Sequence, residues 1–175
     1  VASAISPLKD VDGFHPANLG RLVQGDTSGL LPCTPAGVVR MLEHSEAQLS
    51  GAKAVVLGRS RIVGMPMSLM LASKGIDATV TIVHSRSQDV ESICRDSDIV
   101  IAAIGRPHTV KPEWVKPGAF VVDVGISRAD DGELVGDVHP QVAKIAGWMT
   151  PVPGGVGPMT IAMLMENTLT AARNS

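Results

Sequence analysis

The sequence lacks several features that mark other classes of protein. Its 175 residues include no tyrosine and only two cysteines, and their formal net charge is −2. A charge so close to zero gives no electrostatic basis for binding nucleic acid or a membrane surface. No apolar run approaches the length of a membrane span, and no signal peptide opens the chain. We therefore expect a cytoplasmic protein without nucleic-acid or membrane partners.

The metal-binding and disulfide-forming residue types are sparse and scattered. Cys33 and Cys94 lie far apart in unrelated contexts, which indicates reduced, buried, small apolar residues of a cytosol-like compartment. The five histidines show no spacing typical of metal ligands, so no metal is assigned.

What the chain does contain is an alternation of apolar, β-branched runs with helical patterns. The predicted strands are 55–57, 78–83, 98–104, 119–124 and 148–150, and the last predicted helix is 159–173. Strands that alternate with helices imply right-handed βαβ crossovers. The prediction is an α/β, Rossmann-like, doubly wound and mostly parallel sheet with helices on both faces.

Two local features carry more specific predictions. Thr34 is expected to cap a helix whose first position is Pro35. The run Asp130-Asp131-Gly132 is typical of a hairpin turn, so 127–135 is expected to make a small β excursion.

The turn after the first strand, at 58–64, has the sequence Gly-Arg-Ser-Arg-Ile-Val-Gly. Gly58 takes the first position of a G-x-G-x-x-G fingerprint, but Ser60 takes the second and Val63 the third, with Gly64 next. Strand, glycine turn and helix together aim a helix N-terminus at a phosphate. The imperfect fingerprint is a weak signal alone, and an ordinary strand-to-helix turn is the alternative.

The end of the second strand indicates which dinucleotide would bind. An NAD site would place an acidic residue there, but the chain has Ser85, Arg86 and Ser87, with Arg59 and Arg61 in the neighbouring loop. Hydroxyl and guanidinium groups suit a 2′-phosphate, which favours NADP over NAD. The alternative is a solvated polar loop that caps the next helix.

Three glycines fall within 154–157, between Pro153 and Pro158. So much glycine costs conformational entropy, so either a flat ligand approaches the backbone or a tight turn precedes the last helix, with Pro158 at its first position. Asp12, in an earlier loop, could bind a polar ligand or simply form a turn.

Five segments in this order carry a specific resemblance. They are Lys-Asp-Val-Asp-Gly at 9–13, Pro-Cys-Thr-Pro at 32–35, the glycine turn at 58–64, His-Ser at 84–85, and Pro-Val-Pro-Gly-Gly-Val-Gly-Pro-Met-Thr at 151–160. From about Lys9 to its end, the chain resembles the cofactor-binding half of the bifunctional methylenetetrahydrofolate dehydrogenase/cyclohydrolase family.

The resemblance implies an NADP-dependent oxidation of 5,10-methylenetetrahydrofolate to the 5,10-methenyl compound, followed by hydrolysis to 10-formyltetrahydrofolate. It places the reaction in one-carbon metabolism and purine biosynthesis. The cofactor-binding residues that it implies are Gly58, Arg59, Ser60, Ser85 and Ile126. The folate-binding residues that it implies are Asp12, Pro153, Gly154, Gly155, Val156 and Gly157.

The resemblance also implies a part that this chain lacks. The family carries its key lysine in a Tyr-x-x-x-Lys motif of an N-terminal domain, so no catalytic residue is assigned here. We expect 1–33 to connect from that domain, 34–157 to bind NADP, and 158–175 to form a helix packing back toward it. The isolated chain should bind NADP weakly and turn over no folate, and a homodimer is expected.

Two other interpretations stay open at this point. One is another two-domain NADP dehydrogenase of the shikimate-reductase type, against which the Gly-Gly-Val-Gly loop and the Val-Asp-Gly segment argue. The other is a non-catalytic NADP-binding module, such as a sensor.

Overall fold

A five-stranded parallel sheet forms the centre of the computed structural model, which describes residues 2–26, 28–129 and 131–174. Its strand order is β2-β1-β3-β4-β7, and every neighbouring pair is parallel. The strands of this sheet are β1 Lys53–Leu57, β2 Thr79–Val83, β3 Ile99–Ala102, β4 Phe120–Asp123 and β7 Trp148–Met149. The short strands β5 Ser127–Arg128 and β6 Leu134–Val135 pair antiparallel beside it. The predicted parallel fold is confirmed.

Helices cover both faces of the sheet. The α-helices are α1 Pro16–Gln24, α2 Cys33–His44, α3 Gly64–Ala72, α4 Val90–Arg95 and α5 Val156–Arg173. Short 3₁₀ helices span Ala2–Ala4, Pro7–Lys9, Pro112–Trp114 and Pro140–Lys144. No helix in the described ranges is both long and apolar enough to cross a membrane.

The continuous apolar character of the central strands follows from burial on both sides. Val56 and Ile101 face α2, α3 and α5, whereas Val55 and Val100 face α4 and the 3₁₀ helices Pro112–Trp114 and Pro140–Lys144. All four side chains are inaccessible to solvent. Because successive side chains of a strand point to opposite faces, a strand between two helical layers must be apolar throughout.

Both cysteines are buried and free, as predicted. Burial raises the pKa of the Cys94 thiol to about 12. Burial, reinforced by the charge of Asp12, also raises the pKa of Cys33. Neither thiol forms a reactive thiolate at neutral pH.

Two predictions about helix starts are wrong by a few residues. Helix α2 begins at Cys33, and Thr34 does not cap it, because the Thr34 hydroxyl lies 3.0 Å from the hydroxyl of Thr160 on α5. Helix α5 begins at Val156, so Pro158 is its third residue. The predicted hairpin is present as β5 and β6, but Asp130 of its turn lies outside the described residues.

The strand order determines where a ligand can bind. From β1 the chain passes to β2 on one side, and then crosses to β3 on the other side. The segment after β1 therefore passes to one face of the sheet and the segment after β3 to the other. A crevice opens between the carboxyl ends of these two strands.

Candidate functional site

The turn after β1 requires glycine at both ends. Gly58 has φ of +119°, and a Cβ atom there would lie 2.2 Å from the carbonyl oxygen of Ala103. A Cβ atom on Gly64 would lie 2.2 Å from the carbonyl oxygen of Gly58. Gly64, one position beyond the fingerprint, therefore allows α3 to start directly against the strand.

The serine in the second fingerprint position shapes the same turn. The Ser60 hydroxyl oxygen accepts hydrogen bonds from the backbone N–H groups of Val63, at 3.1 Å, and Gly64, at 3.3 Å. Among the described residues, no hydrogen bond is donated by the backbone N–H groups of residues 59–62. Unpaired N–H groups beside a helix N-terminus form a site for a phosphate.

A cavity of about 470 Å³ opens over the ends of β1, β2 and β3. Four of the predicted cofactor residues, Gly58, Arg59, Ser60 and Ser85, line it together. The remaining lining residues are Leu57, Val83, His84, Ser87, Val90, Ala103, Ile104, Arg106, Thr109 and Trp114. Apolar walls with a few converging polar groups are typical of a cofactor site.

The cations around this cavity differ in part from those that the sequence suggested. Arg59 lines it, but Arg61 and Arg86 are exposed and do not. Arg106, from the loop after β3, does line it. In the described ranges, neither Arg59 nor Arg106 forms an ion pair with the chain itself. Arg106 was not among the cofactor residues predicted from the sequence, and its only signal was its place at a strand end.

The loop after β3 has its backbone N–H groups already satisfied. Ile104 and Gly105 donate to one carboxylate oxygen of Asp137, at 2.6 and 2.8 Å, and Arg106 donates to the other at 2.8 Å. Asp137 is completely buried.

A second buried carboxylate supports the first. Asp123, at the end of β4, accepts hydrogen bonds from the backbone N–H groups of Gly125, Asp137 and Val138 at 2.9 to 3.1 Å. Burial raises the pKa of Asp123 to about 6, the neighbouring Asp137 charge acts in the same direction, and the three N–H donors oppose it. The sequence carried no signal for either aspartate.

Asp12 lies in a different part of the molecule. Its side chain is exposed, and its loop is held by the Asn167 side chain of α5, which donates to the carbonyl oxygens of Val11 and Leu31. Gly13 packs so closely on the backbone of residues 31–32 that a Cβ atom would lie 2.4 Å from it. Asp12 is thereby fixed near Cys33 at the start of α2.

The glycine-rich loop before α5 is partly explained by its own turn. Gly154 has φ of +98°, and a Cβ atom on Gly155 would lie 2.5 Å from the Pro151 carbonyl oxygen. A Cβ atom on Gly157 would meet nothing within 4 Å. The tight turn therefore accounts for Gly154 and Gly155 but leaves Gly157 without a reason inside the chain. Pro153 is exposed, whereas Val156 is buried at the start of α5.

The remaining candidate, Ile126, follows β4 and is 64% exposed, outside the lining of the cavity. The strand order nevertheless places the candidates in sequence along one edge of the sheet. Ser85 follows β2, Gly58 follows β1, Arg106 follows β3, Ile126 follows β4, and the glycine-rich loop follows β7. Asp12 lies outside this series, but its loop is bonded to α5, the helix that follows the glycine-rich loop.

A profile of the tetrahydrofolate dehydrogenase/cyclohydrolase NAD(P)-binding domain matches residues 32–175. The chain belongs to this family. The bifunctional protein FolD of Thermus thermophilus is 58% identical over 98% of the chain. The match spans 60% of that relative's length, so the chain covers well under two thirds of it.

Solved structures of the family have the same fold. The bifunctional FolD enzyme of Campylobacter jejuni is 48% identical, with a TM-score of 0.95, and the match covers 99% of this chain and 61% of that one. The Trypanosoma brucei FolD, solved with NADP and an inhibitor, is 44% identical with a TM-score of 0.90, over the same shares of the two chains. In the ranges described here, no three histidine, cysteine or acidic residues cluster as metal ligands would.

Proposed function

We propose that this chain is the NADP-binding part of an enzyme that oxidises 5,10-methylenetetrahydrofolate and hydrolyses the methenyl product to 10-formyltetrahydrofolate. The observation that supports this most directly is the grouping of Arg59, Ser60 and Ser85 around one cavity. Among the residues that the structure describes, none with a carboxylate lines that cavity to repel a 2′-phosphate. Family membership and a relative solved with NADP support the same assignment.

Residues at three strand ends would bind different parts of the cofactor. The unpaired N–H groups of residues 59–62 suit the pyrophosphate, and Ser85 and Arg59 suit the 2′-phosphate. Ile126, farther along the same edge, would contact the nicotinamide end. When bound, NADP accepts the hydride, and the protein's part is to hold the reacting carbon next to the one-carbon unit.

Folate would bind at the far end of this edge. Exposed Asp12 would accept hydrogen bonds from the pterin ring, and the loop Pro153–Gly157 would line the cleft. Gly157 supports this placement, because nothing in the chain itself requires a glycine there. The lysine that assists both reactions would come from the part of the relatives' length that this chain does not span.

We also propose where that missing part docks. Ile161, Met165 and Leu169 recur at helical spacing on α5 and are 64, 68 and 52% exposed. An exposed apolar stripe of this kind marks an interface. The match to the relatives covers 98% of the chain and so includes most of the segment before residue 32, where the matched NAD(P)-binding domain begins. This supports a preceding domain packing on α5.

Separately, the resemblance supports a homodimer in the cytoplasm that serves one-carbon metabolism and purine biosynthesis.

The decisive test is the binding of NADP and NAD to the 175-residue chain by titration calorimetry. We expect NADP to bind at least about tenfold more tightly, because a charge-assisted hydrogen bond contributes about 1.5–3 kcal/mol. Ser85→Asp should remove that preference by repelling the 2′-phosphate. Arg59→Ala should weaken NADP more than NAD, whereas Arg40→Ala, which only loses its pair with Glu166, should change neither.

Equal affinity for NAD and NADP would contradict the cofactor assignment. A folate analogue distinguishes this function from a non-catalytic NADP-binding module, since an enzyme part should bind it near Pro153–Gly157. Oxidation of methylenetetrahydrofolate by the isolated chain would contradict the assignment of the catalytic lysine to the missing part.

A further inference from the structure

The loop after β3 is an anion-binding turn whose anion is part of the protein. Three successive N–H groups, of Ile104, Gly105 and Arg106, converge on the carboxylate of Asp137. Gly105 adopts φ of +72°, the left-handed conformation that lets neighbouring N–H groups point to one centre. Such a concavity elsewhere holds a phosphate, but here it holds a side chain.

The carboxylate is fixed in this position from several sides. The backbone N–H of Asp137 donates to a carboxylate oxygen of Asp123 at 2.9 Å. A Cβ atom on Gly125 would lie 2.2 Å from the Asp137 carboxyl carbon, so the absent side chain leaves the space that the carboxylate fills. Asp137 therefore links the carboxylate at the end of β4 to the backbone of the loop after β3.

Arg106 is the member of this loop that can bind a ligand. Its backbone is held by Asp137, it is exposed and lines the same cavity as Arg59, and no described acidic side chain pairs with it. A dinucleotide with an extra phosphate carries several negative charges. The chain's net charge of −2 means that attraction must come from cations placed locally.

We propose that Asp137 is a positioning residue of the cofactor cavity, and that it holds Arg106 in place as a second guanidinium for the cofactor's phosphate groups. The proposal rests on the proposed NADP-binding function. It adds a ligand-binding residue, Arg106, and a residue that acts through it without touching the ligand.

Asp137→Asn is the direct test. It leaves one oxygen to accept hydrogen bonds and turns an NH₂ group toward a backbone N–H that now has no acceptor. We expect the amides of residues 104–106 to lose protection from hydrogen exchange, and NADP to bind about tenfold more weakly. Asp98→Asn is the matched control, because Asp98 also accepts a backbone N–H, from Lys53 at 2.8 Å, but at the opposite end of the strands.

A double-mutant cycle separates positioning from a general loss of stability. Arg106→Ala alone should weaken NADP binding about tenfold. Adding Asp137→Asn to Arg106→Ala should cost little more affinity, because the group that Asp137 positions is gone. A purely structural role would lower NADP affinity equally in both backgrounds.

The outcomes are distinct from those that test the proposed function. Failure of the unmodified chain to bind NADP would refute the function and this role with it. Normal NADP binding by the chain, together with unchanged binding by Arg106→Ala, would overturn only the inference, and this variant remains informative if Asp137→Asn does not fold. Equal losses in both backgrounds would likewise overturn it.

Discussion

The loops that follow β1 and β3 line the same cavity but use their backbone N–H groups in opposite ways. After β1, the N–H groups of residues 59–62 have no described partner, and the two that follow donate to the Ser60 hydroxyl. After β3, three successive N–H groups are satisfied by buried Asp137. Among the described residues, the loop after β1 is thus open, without a protein acceptor for these N–H groups, whereas the loop after β3 is closed by an internal anion.

The two loops therefore differ in whether their backbone N–H groups remain available at this edge of the sheet. An N–H group that is taken out of water must be paired, so a loop whose backbone N–H groups meet no ligand needs an acceptor from the protein. Asp137 is that acceptor, and a cofactor phosphate would do for the first loop what Asp137 does for the second. The three predictions that follow test each half of this comparison.

The largest effect should come from Gly58→Ala in the open loop. The new Cβ would lie 2.2 Å from the Ala103 carbonyl oxygen, at a φ that L-residues rarely adopt. We expect the free energy of unfolding to fall by about 3 kcal/mol or more. Urea unfolding measures this.

Gly20→Ala is the control for that change. Gly20 lies within α1, has open space around it, and should gain about 0.5–1 kcal/mol as alanine. Gly58→Ala with unaltered stability would show that the loop tolerates a side chain and is not constrained by close approach to Ala103.

The stability of the chain should depend on pH through Asp123, which accepts a hydrogen bond from Asp137, the residue that closes the loop after β3. Its pKa of about 6 in the folded chain exceeds the value near 4 of an unfolded aspartate. Between these values the folded state binds more protons, so stability falls as the pH rises from about 4 to above 6. The total change contributed by this group is on the order of 2–3 kcal/mol. Urea unfolding at a series of pH values measures it.

Comparison with Asp123→Asn isolates this contribution. The stability advantage of the unmodified chain over that variant should shrink as the pH rises through 6. Asp98→Asn provides the contrast, because the hydrogen bond from Lys116 and other interactions hold the Asp98 pKa below its usual range. Its contribution is present above about pH 4 and is lost only as the pH falls. Parallel pH profiles for the chain and Asp123→Asn would contradict the shifted pKa.

The smallest effect should come from Ser60→Ala, which removes the acceptor for the N–H groups of Val63 and Gly64. Loss of such a cap costs about 1 kcal/mol of unfolding free energy. Ser50→Ala, at an exposed turn, should cost nothing measurable. If Ser60→Ala and Ser50→Ala have the same free energy of unfolding, the Ser60 hydroxyl does not stabilise the chain by accepting these two hydrogen bonds.

Much of this architecture could be predicted because its signals are local. Each central strand is a short apolar run, and residues 58–64 place a glycine turn directly between a strand and a helix. The predicted cap at Thr34 failed because its hydroxyl meets that of Thr160, 126 positions away. A local pattern cannot reveal a competing partner so distant along the chain.

The cations of the cavity were predictable only in part for the same reason. Arg59, Arg61 and Arg86 all stand at strand ends, yet only Arg59 lines the cavity, where Arg106 joins it. No local sequence pattern indicated the role of Asp137, because the N–H groups that donate to it lie 31 to 33 positions earlier in the chain.

By itself, the sequence determined the strands, the helices between them, the glycine turn after β1 and the absence of an acidic residue after β2. Each is a property of a few consecutive residues and of their hydrophobic period. Only the tertiary structure decided which N–H groups stay open and which guanidinium groups line one cavity. Those depend on where separate strand ends converge, and on a buried carboxylate that the fold brings to three backbone N–H donors.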